Sequence, residues 1–340
     1  MQVFWSDDQF AHDGARFLKA GRLMPSPETP NRAALILNAL AAADFAVSAP
    51  EDLGLDPLLR VHPVAYLDFL QSIAQRWSAE FGADAAVLPN VLAGGRAAHV
   101  PAGLVGALGV YVGDLAAEIR AGTWAASYAS AQCAANAGRL VATTGAPAYA
   151  LCRPPGHHAS ASAAMGFCYL NNAAIAAQEL RARHDRVAIV DIDVHHGNGT
   201  QAIFYDRADV LTASMHSDPS RYYPYHSGYE DECGASAGAG CNVNACYAKD
   251  ADDAAFAQAF ARLAGAVAAF KPGAVVIALG LDALRTDPHG GHAITPDAYA
   301  AVARAIRGWS LPTVFVQEGG YESAELGPTV ARVLTAFSHG

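Results

Sequence analysis

Two hydrophobic periodicities alternate along the chain. Apolar residues recur at three- and four-residue spacing in PNRAALILNALAAADF (30–45), PVAYLDFLQSIAQRW (63–77), AASYASAQCAANAGRLVATTG (125–145), NNAAIAAQELRARH (171–184), DDAAFAQAFARLAGAVAAF (252–270) and TPDAYAAVARAIRGW (295–309), which predicts helices. Between them lie continuous, largely β-branched runs: AYALC (148–152), RVAIVDID (186–193), VLTASMH (210–216), AVVIALGLD (274–282) and TVFVQEGG (313–320). Runs without polar alternation read as strands covered on both faces. The alternation therefore predicts an α/β fold, a mostly parallel sheet with helices on both sides. Two stretches break the pattern, 80–124 (Gly, Ala and Pro with weak periodicity) and 217–247 (four tyrosines, then a small-residue tail). Both are expected to be long loop excursions of one domain spanning 1–340, because ordinary connections are much shorter.

Composition narrows this picture. The 340 residues, 52% hydrophobic and 16% charged, can bury a large core and are neither disordered nor fibrous. A formal net charge of −10 disfavours nucleic acid as a partner and suits a cationic substrate. The start MQVFWSDDQF lacks the basic beginning and apolar core of a signal peptide, and no run approaches the roughly 18 apolar residues of a membrane span. A soluble, cytoplasmic protein with no membrane partner is expected. The six cysteines form no disulfide framework; Cys152 and Cys168 sit in segments where reduced, buried thiols are common. Cys233, Cys241, Cys246 and His226 lack the CxxC spacing of a structural zinc knuckle.

Ligands in such sheets bind beyond the carboxyl ends of the strands. Here CRPPGHH follows AYAL, DIDVHHGNG follows RVAIV, MH follows VLTAS, LDALRTDP follows VVIALG and EGGY follows TVFVQ. Asp193 and His195, two apart, project to one side of an extended strand end, and Asp282 at another strand end completes an O, N, O set. A lone aspartate there is more often a turn or helix-cap residue; the three together, with an open position, form the pattern of a catalytic metal. His157 and His158, alone a polar loop, become proton carriers beside a metal. Asp191 offers one histidine a carboxylate and Asn198 offers the other an amide oxygen, so one is driven toward imidazolium and the other stays neutral. Tyr321, after Gly319 and Gly320, is either a half-buried strand-end tyrosine or a hydroxyl that donates to a developing oxyanion.

The ordered set RPPGHHA, GFCYLNNAAIAA, DIDVHHGNGT, SMH, GLDALRTDP and EGGY resembles the zinc-dependent histone deacetylase superfamily, most closely its bacterial acetylpolyamine amidohydrolase branch. The resemblance runs from near residue 1 to the C-terminal helix. It implies an arginase-like α/β fold and hydrolysis of an acetamide on an amine. It implies one zinc ion per chain on Asp193, His195 and Asp282, with His158 as general base and acid. His157, paired with Asp191, would be the electrostatic partner, and Tyr321 would polarise the acetyl carbonyl. Gly166 and Phe167 of GFCYL, Tyr223 of RYYP (often Phe in the family) and Gly320 would line a narrow tunnel. Asp191, Asp193, His195, Ser214 and Met215 match a structural potassium site, mainly through backbone oxygens. Asn198 replaces the aspartate of many eukaryotic relatives.

The substrate implied is a small acetylated amine. In the polyamine branch the early loop carries carboxylates for a distal ammonium; here that stretch is largely apolar, and Asp114 or Glu118 is the candidate at the rim. The same loop supports a homodimer in that branch, which is expected here. Two other readings remain: an arginase-like ureohydrolase with two manganese ions, and a non-enzymatic binder of acetylated ligands. Asn198 argues against the first, and the presence of every catalytic group against the second.

Overall fold

The computed structural model describes residues 1–93 and 97–339. Its strands are β1 (Gln2–Phe4), β2 (Arg16–Lys19), β3 (Arg22–Pro25), β4 (Val47–Ser48), β5 (Ala148–Ala150), β6 (Val187–Asp191), β7 (Val210–Ser217), β8 (Asn242–Tyr247), β9 (Ala274–Leu279) and β10 (Thr313–Gln317). Eight of them form one sheet in the order β4-β1-β5-β10-β9-β6-β7-β8, parallel throughout, while β2 and β3 make a separate antiparallel hairpin.

Strand composition follows from burial on two faces. Val187 and Ile189 of β6 pack on one side with Ala274, Val276 and Ala278 of β9; Ala188 and Val190 pack on the other with Val275, Ile277 and Leu279. Each such Val, Leu or Ile contributes roughly 1.5–3 kcal/mol relative to exposure. The first face is covered by α2 (Asp56–Leu59), α3 (Val64–Phe81), α4 (Leu104–Tyr111), α5 (Thr123–Thr144), α6 (Asn172–Arg181) and α7 (Asn198–Phe204). The second is covered by α1 (Pro30–Ala42), α8 (Asp253–Phe270), α9 (Pro296–Gly308) and α10 (Leu326–His339). Small residues let α5 lie close to α6: a Cβ on Gly138 would stand 2.8 Å from the Ala176 carbonyl oxygen. Among the described residues no helix is long and apolar enough to cross a membrane.

The structure corrects several expected boundaries. The 80–124 excursion is not loop throughout, since α3 runs to Phe81 and α4 occupies Leu104–Tyr111; positions 94–96 lie outside the described residues. The glycines that obscured α4 allow close packing there: Gly109 accepts the Ala93 amide at 2.8 Å, and a Cβ on it would collide with the Val91 carbonyl. The 217–247 excursion ends in β8, whose mixed sequence suits an edge strand paired on one side only. Strands β6 and β9 stop at Asp191 and Leu279, short of the candidate ligands.

Candidate active site

The sheet order sets β5, β10, β9, β6 and β7 side by side, so RPPGHH, EGGY, LDALRTDP, DIDVHHGNG and SMH meet at one edge. Asp193, His195 and Asp282 converge with ligand-type atoms all within 4.8 Å of one another. They do so through a turn rather than strand alternation, because β6 has already ended. Asp191 Oδ1 accepts the Asp193 amide (3.1 Å), and Asp193 Oδ1 accepts the His195 amide (2.8 Å). Asp193 Oδ2 accepts the Gly319 amide (2.8 Å), and Asp282 Oδ1 accepts the Val194 amide (3.0 Å). Side chains at Gly280 or Gly319 would collide with these carboxylates, so glycine is required at both.

His195 Nδ1 stands 3.1 Å from Asp193 Oδ1 and 3.0 Å from Asp282 Oδ2. A single nitrogen proton cannot serve both oxygens well. Burial, and then the neighbouring Asp193 charge, push the Asp282 carboxyl above its usual range. Two buried carboxylates and an imidazole nitrogen around one point fit a divalent cation. A second trio, His157, Cys168 and Glu318, also brings ligand-type atoms within 4.8 Å. That group does not suit a cation: His157 is committed to Asp191 and held protonated, and burial pushes the Cys168 thiol well up. Cys233, Cys241, Cys246 and His226 form no such cluster among the described residues.

The tandem histidines have different partners. His157 Nδ1 is 3.0 Å from Asp191 Oδ2, and His158 Nδ1 is 2.7 Å from Asn198 Oδ1. Burial disfavours charge on His157, but Asp193 and Asp191 outweigh it and hold the imidazole well above its ordinary range. His158 is held well below its range by burial, with His157 and His195 adding to the effect. Asn198 directs its amide nitrogen to Met165 Sδ (3.4 Å), which aims its oxygen at His158 and assigns the proton to Nδ1. His158 Nε2 is left as an acceptor.

Tyr321 is 5% exposed, with its amide donating to Asp287 Oδ2 (2.7 Å) and the Arg32 guanidinium 4.9 Å from its ring centroid. Facing it are Phe167 (ring centroids 6.2 Å) and His289 (5.1 Å). Tyr223 stands edge-on to His158 at 5.0 Å, opposite Gly166. Gly166 has φ +56°, and a Cβ there would meet His158 Cδ2 at 2.5 Å and the Tyr223 hydroxyl at 2.7 Å. Phe167 follows with φ 67°, uncommon for a bulky residue. Asp114 ties the two walls: its carboxylate accepts the Tyr223 hydroxyl (2.7 Å), the Gly166 amide (3.2 Å) and the amides of Ala116 and Ala117 (3.0 and 3.2 Å). Glu118 is not at the rim. It is 3% exposed and accepts the amides of Ala15 and Arg16, which fastens the β2–β3 hairpin.

Asp191 and Ser214 are register partners on β6 and β7, which sets Ser214 and Met215 beside the strand end that leads into Asp193 and His195. Three residues escaped the sequence reading. Asp287, in the quoted LDALRTDP, accepts the amides of Tyr321, His289 and Gly290. Tyr222 stacks on His195 at 5.2 Å and donates to the carbonyls of His289 and Gly290. Arg32, paired with Glu28 at 2.8 Å, donates to the carbonyls of Gly320 and Glu318. Only the arginine inside an apolar helix signalled the last of these.

Residues 26–337 match the histone deacetylase domain. The chain is 44% identical to acetylpolyamine amidohydrolase 1 of Pseudomonas aeruginosa, covering 99% of each chain. It is 41% identical to the acetylpolyamine amidohydrolase of Burkholderia pseudomallei, over 96% of this chain and 95% of the relative. The crystal structure of an acetylpolyamine aminohydrolase from B. pseudomallei superposes with a TM-score of 0.96 at 40% identity, covering 100% of this chain and 99% of the other.

Proposed function

The chain belongs to the histone deacetylase family, a family of amide-bond hydrolases, and on that premise we propose that it is a zinc-dependent amidohydrolase that converts an acetylated amine and water to acetate and free amine. The observation that carries the reading is the convergence of Asp193, His195 and Asp282 with a neutral His158 and Tyr321 at one sheet edge. Zinc on those three ligands supplies a Lewis acid that polarises a carbonyl and lowers the pKa of water.

The protein's own groups do the rest. His158 Nε2 takes a proton from the attacking water, while its Nδ1 proton stays donated to Asn198 Oδ1. His157, kept as imidazolium by Asp193 and Asp191, offsets the negative charge that develops nearby. The Tyr321 hydroxyl donates to the carbonyl oxygen as it becomes an oxyanion. Burial keeps that hydroxyl protonated by raising its pKa well above the ordinary value. An imidazole then protonates the amine nitrogen as the C–N bond breaks. Gly166, Phe167, Tyr223 and Gly320 shape the passage for the acetylated arm.

The relatives' names point to acetylpolyamine as substrate, and Asp114 is the carboxylate nearest the walls. We further propose one catalytic domain over 1–340, a potassium ion among the backbone oxygens of Asp191, Asp193, His195, Ser214 and Met215, and a cytoplasmic homodimer, testable by sedimentation. The deciding experiment assays the zinc-loaded protein on acetylputrescine, acetylcadaverine, acetylspermidine and an acetyl-lysine peptide, with elemental analysis alongside. One zinc per chain and turnover of an acetylated amine are expected. Two metals per chain, or cleavage of neutral amides alone, would sink the reading.

A further inference from the structure

Glu318, the first residue of EGGY, has no part in the scheme above, yet it is fully buried at the centre of the site. Its backbone is held from two directions: its amide donates to the Leu279 carbonyl (2.9 Å), and its carbonyl accepts from Arg32 (2.7 Å). From that fixed base the side chain crosses to the loop after β5. There a single oxygen, Oε2, accepts two consecutive amides, Gly156 at 2.7 Å and His157 at 3.0 Å. The other oxygen, Oε1, is buried with no hydrogen-bond partner.

The same strand end also holds a candidate metal ligand. Gly319, the next residue, donates its amide to Asp193 Oδ2 at 2.8 Å. One dipeptide thus grips the histidine turn with a side chain and the ligand set with its main chain. On its far side the His157 peptide is fastened by its carbonyl, which accepts the amides of Gly199 and Thr200 at 3.0 and 3.1 Å. Gly156 lies close against the start of α6, where an added Cβ would collide with the Asn172 amide nitrogen and stand 2.8 Å from the Leu170 carbonyl oxygen. Removal of the Glu318 anchor leaves the Gly156 and His157 amides without an acceptor, with the peptide held only by its carbonyls and by the His157–Asp191 and His158–Asn198 pairs.

We propose that Glu318 is a positioning residue that fixes the His157–His158 backbone relative to Asp193 by accepting the Gly156 and His157 amides. The role rests on the function proposed above, in which those histidines handle the proton and the charge. Positioning is worth much in such a site, where a misplacement of about 1 Å costs on the order of 10²-fold in rate.

The test compares zinc-loaded wild type with Glu318→Gln, Glu318→Asp and Glu318→Ala by steady-state kinetics, zinc content and hydrogen exchange of the peptide spanning 153–160. Gln keeps an acceptor oxygen on both amides; Asp keeps the charge but is one methylene too short. Gln should retain slow exchange at Gly156 and His157 and turnover within about fivefold of wild type. Asp and Ala should release both amides and lose on the order of 10²-fold in kcat, with KM within about threefold and one zinc per chain retained. The proposal is overturned if Asp matches Gln, or if the amides stay protected in folded Ala. Should Ala fail to fold, the Gln and Asp pair carries the same contrast. Exchange is read without substrate, so an enzyme that cleaves no acetylated amine and an anchor that does not hold are told apart.

Discussion

On the floor of the crevice carboxylates end on backbone amides: Asp193 on His195 and Gly319, Asp282 on Val194, Asp287 on Tyr321, His289 and Gly290. At the rim, Phe167 and Tyr223 are held by ring contacts and by one carboxylate, Asp114, with its hydroxyl and amide donors. The floor is built on strand ends whose positions follow from the register of a buried sheet. The rim is built on loops, Phe167 on the one between β5 and α6, Tyr223 on the one between β7 and β8 and Asp114 on the one after α4. Chemistry is thereby attached to the least deformable part of the molecule and selectivity to the most replaceable.

If that division holds, the largest loss follows from the floor. Tyr321→Phe should lower turnover by about 10²–10³-fold while zinc remains bound, because one oxyanion donor is removed. Wild-type turnover in that variant would take Tyr321 out of the mechanism. A step down come the supports. His62 donates from Nδ1 to the Ala161 carbonyl and accepts the Asn171 amide at Nε2, which requires the neutral ring. Burial holds His62, and likewise His12, down to about 4 from 6.5. Their folded pKa is depressed, so the stability they contribute is whole above pH 6.5 and is lost as pH falls toward 4. Up to roughly 3 kcal/mol per ring is at stake. Urea unfolding of metal-free protein across this window should show the falling midpoint, and a midpoint that rises with acid would refute the account.

Smaller again is the effect of Asn198→Asp. A carboxylate beside His158 raises its pKa, so the acid limb of the kcat/KM profile should move up by about one unit, lowering activity on that limb while activity near neutrality changes little. An unmoved limb would separate His158 from that ionisation. The smallest effect belongs to the rim. Tyr223→Phe frees one oxygen of Asp114 and should leave kcat within about twofold, while the KM for acetylputrescine falls roughly threefold relative to a neutral acetamide. Equal KM changes for both substrates would deny Asp114 a part in selectivity.

The same division explains what the chain discloses when read as a sequence. Strands buried on both faces are written as unbroken runs, so β6, β9 and β10 and the motifs beyond them were legible, Asp193, His195 and Asp282 included. The two histidine partners were legible because Asp191 and Asn198 bracket the same turn. Helix α4 was not, since glycines that admit the Val91 backbone also erase periodicity. Edge strand β8, covered on fewer sides, keeps polar residues that resemble loop. The choice between Asp114 and Glu118 at the rim was not legible, because the partners of Glu118, the amides of Ala15 and Arg16, lie about a hundred residues away. Arg32, Tyr222 and Asp287 act through backbone carbonyls and amides of distant segments, which leave no mark in local sequence.

The strand order has a consequence for biosynthesis. Strands β1, β4 and β5 on one side of the sheet and β6, β7 and β8 on the other emerge first, yet in the sheet they are separated by β9 and β10. When residue 270 leaves the ribosome, both flanks exist and the slot between them is empty. Asp282, Glu318 and Tyr321 arrive only with the segment that fills it. The nascent protein therefore lacks part of its metal-ligand set, and β5 and β6 have no partner between them, until β9 and β10 have been made. Such long-range pairing is slow and vulnerable to aggregation.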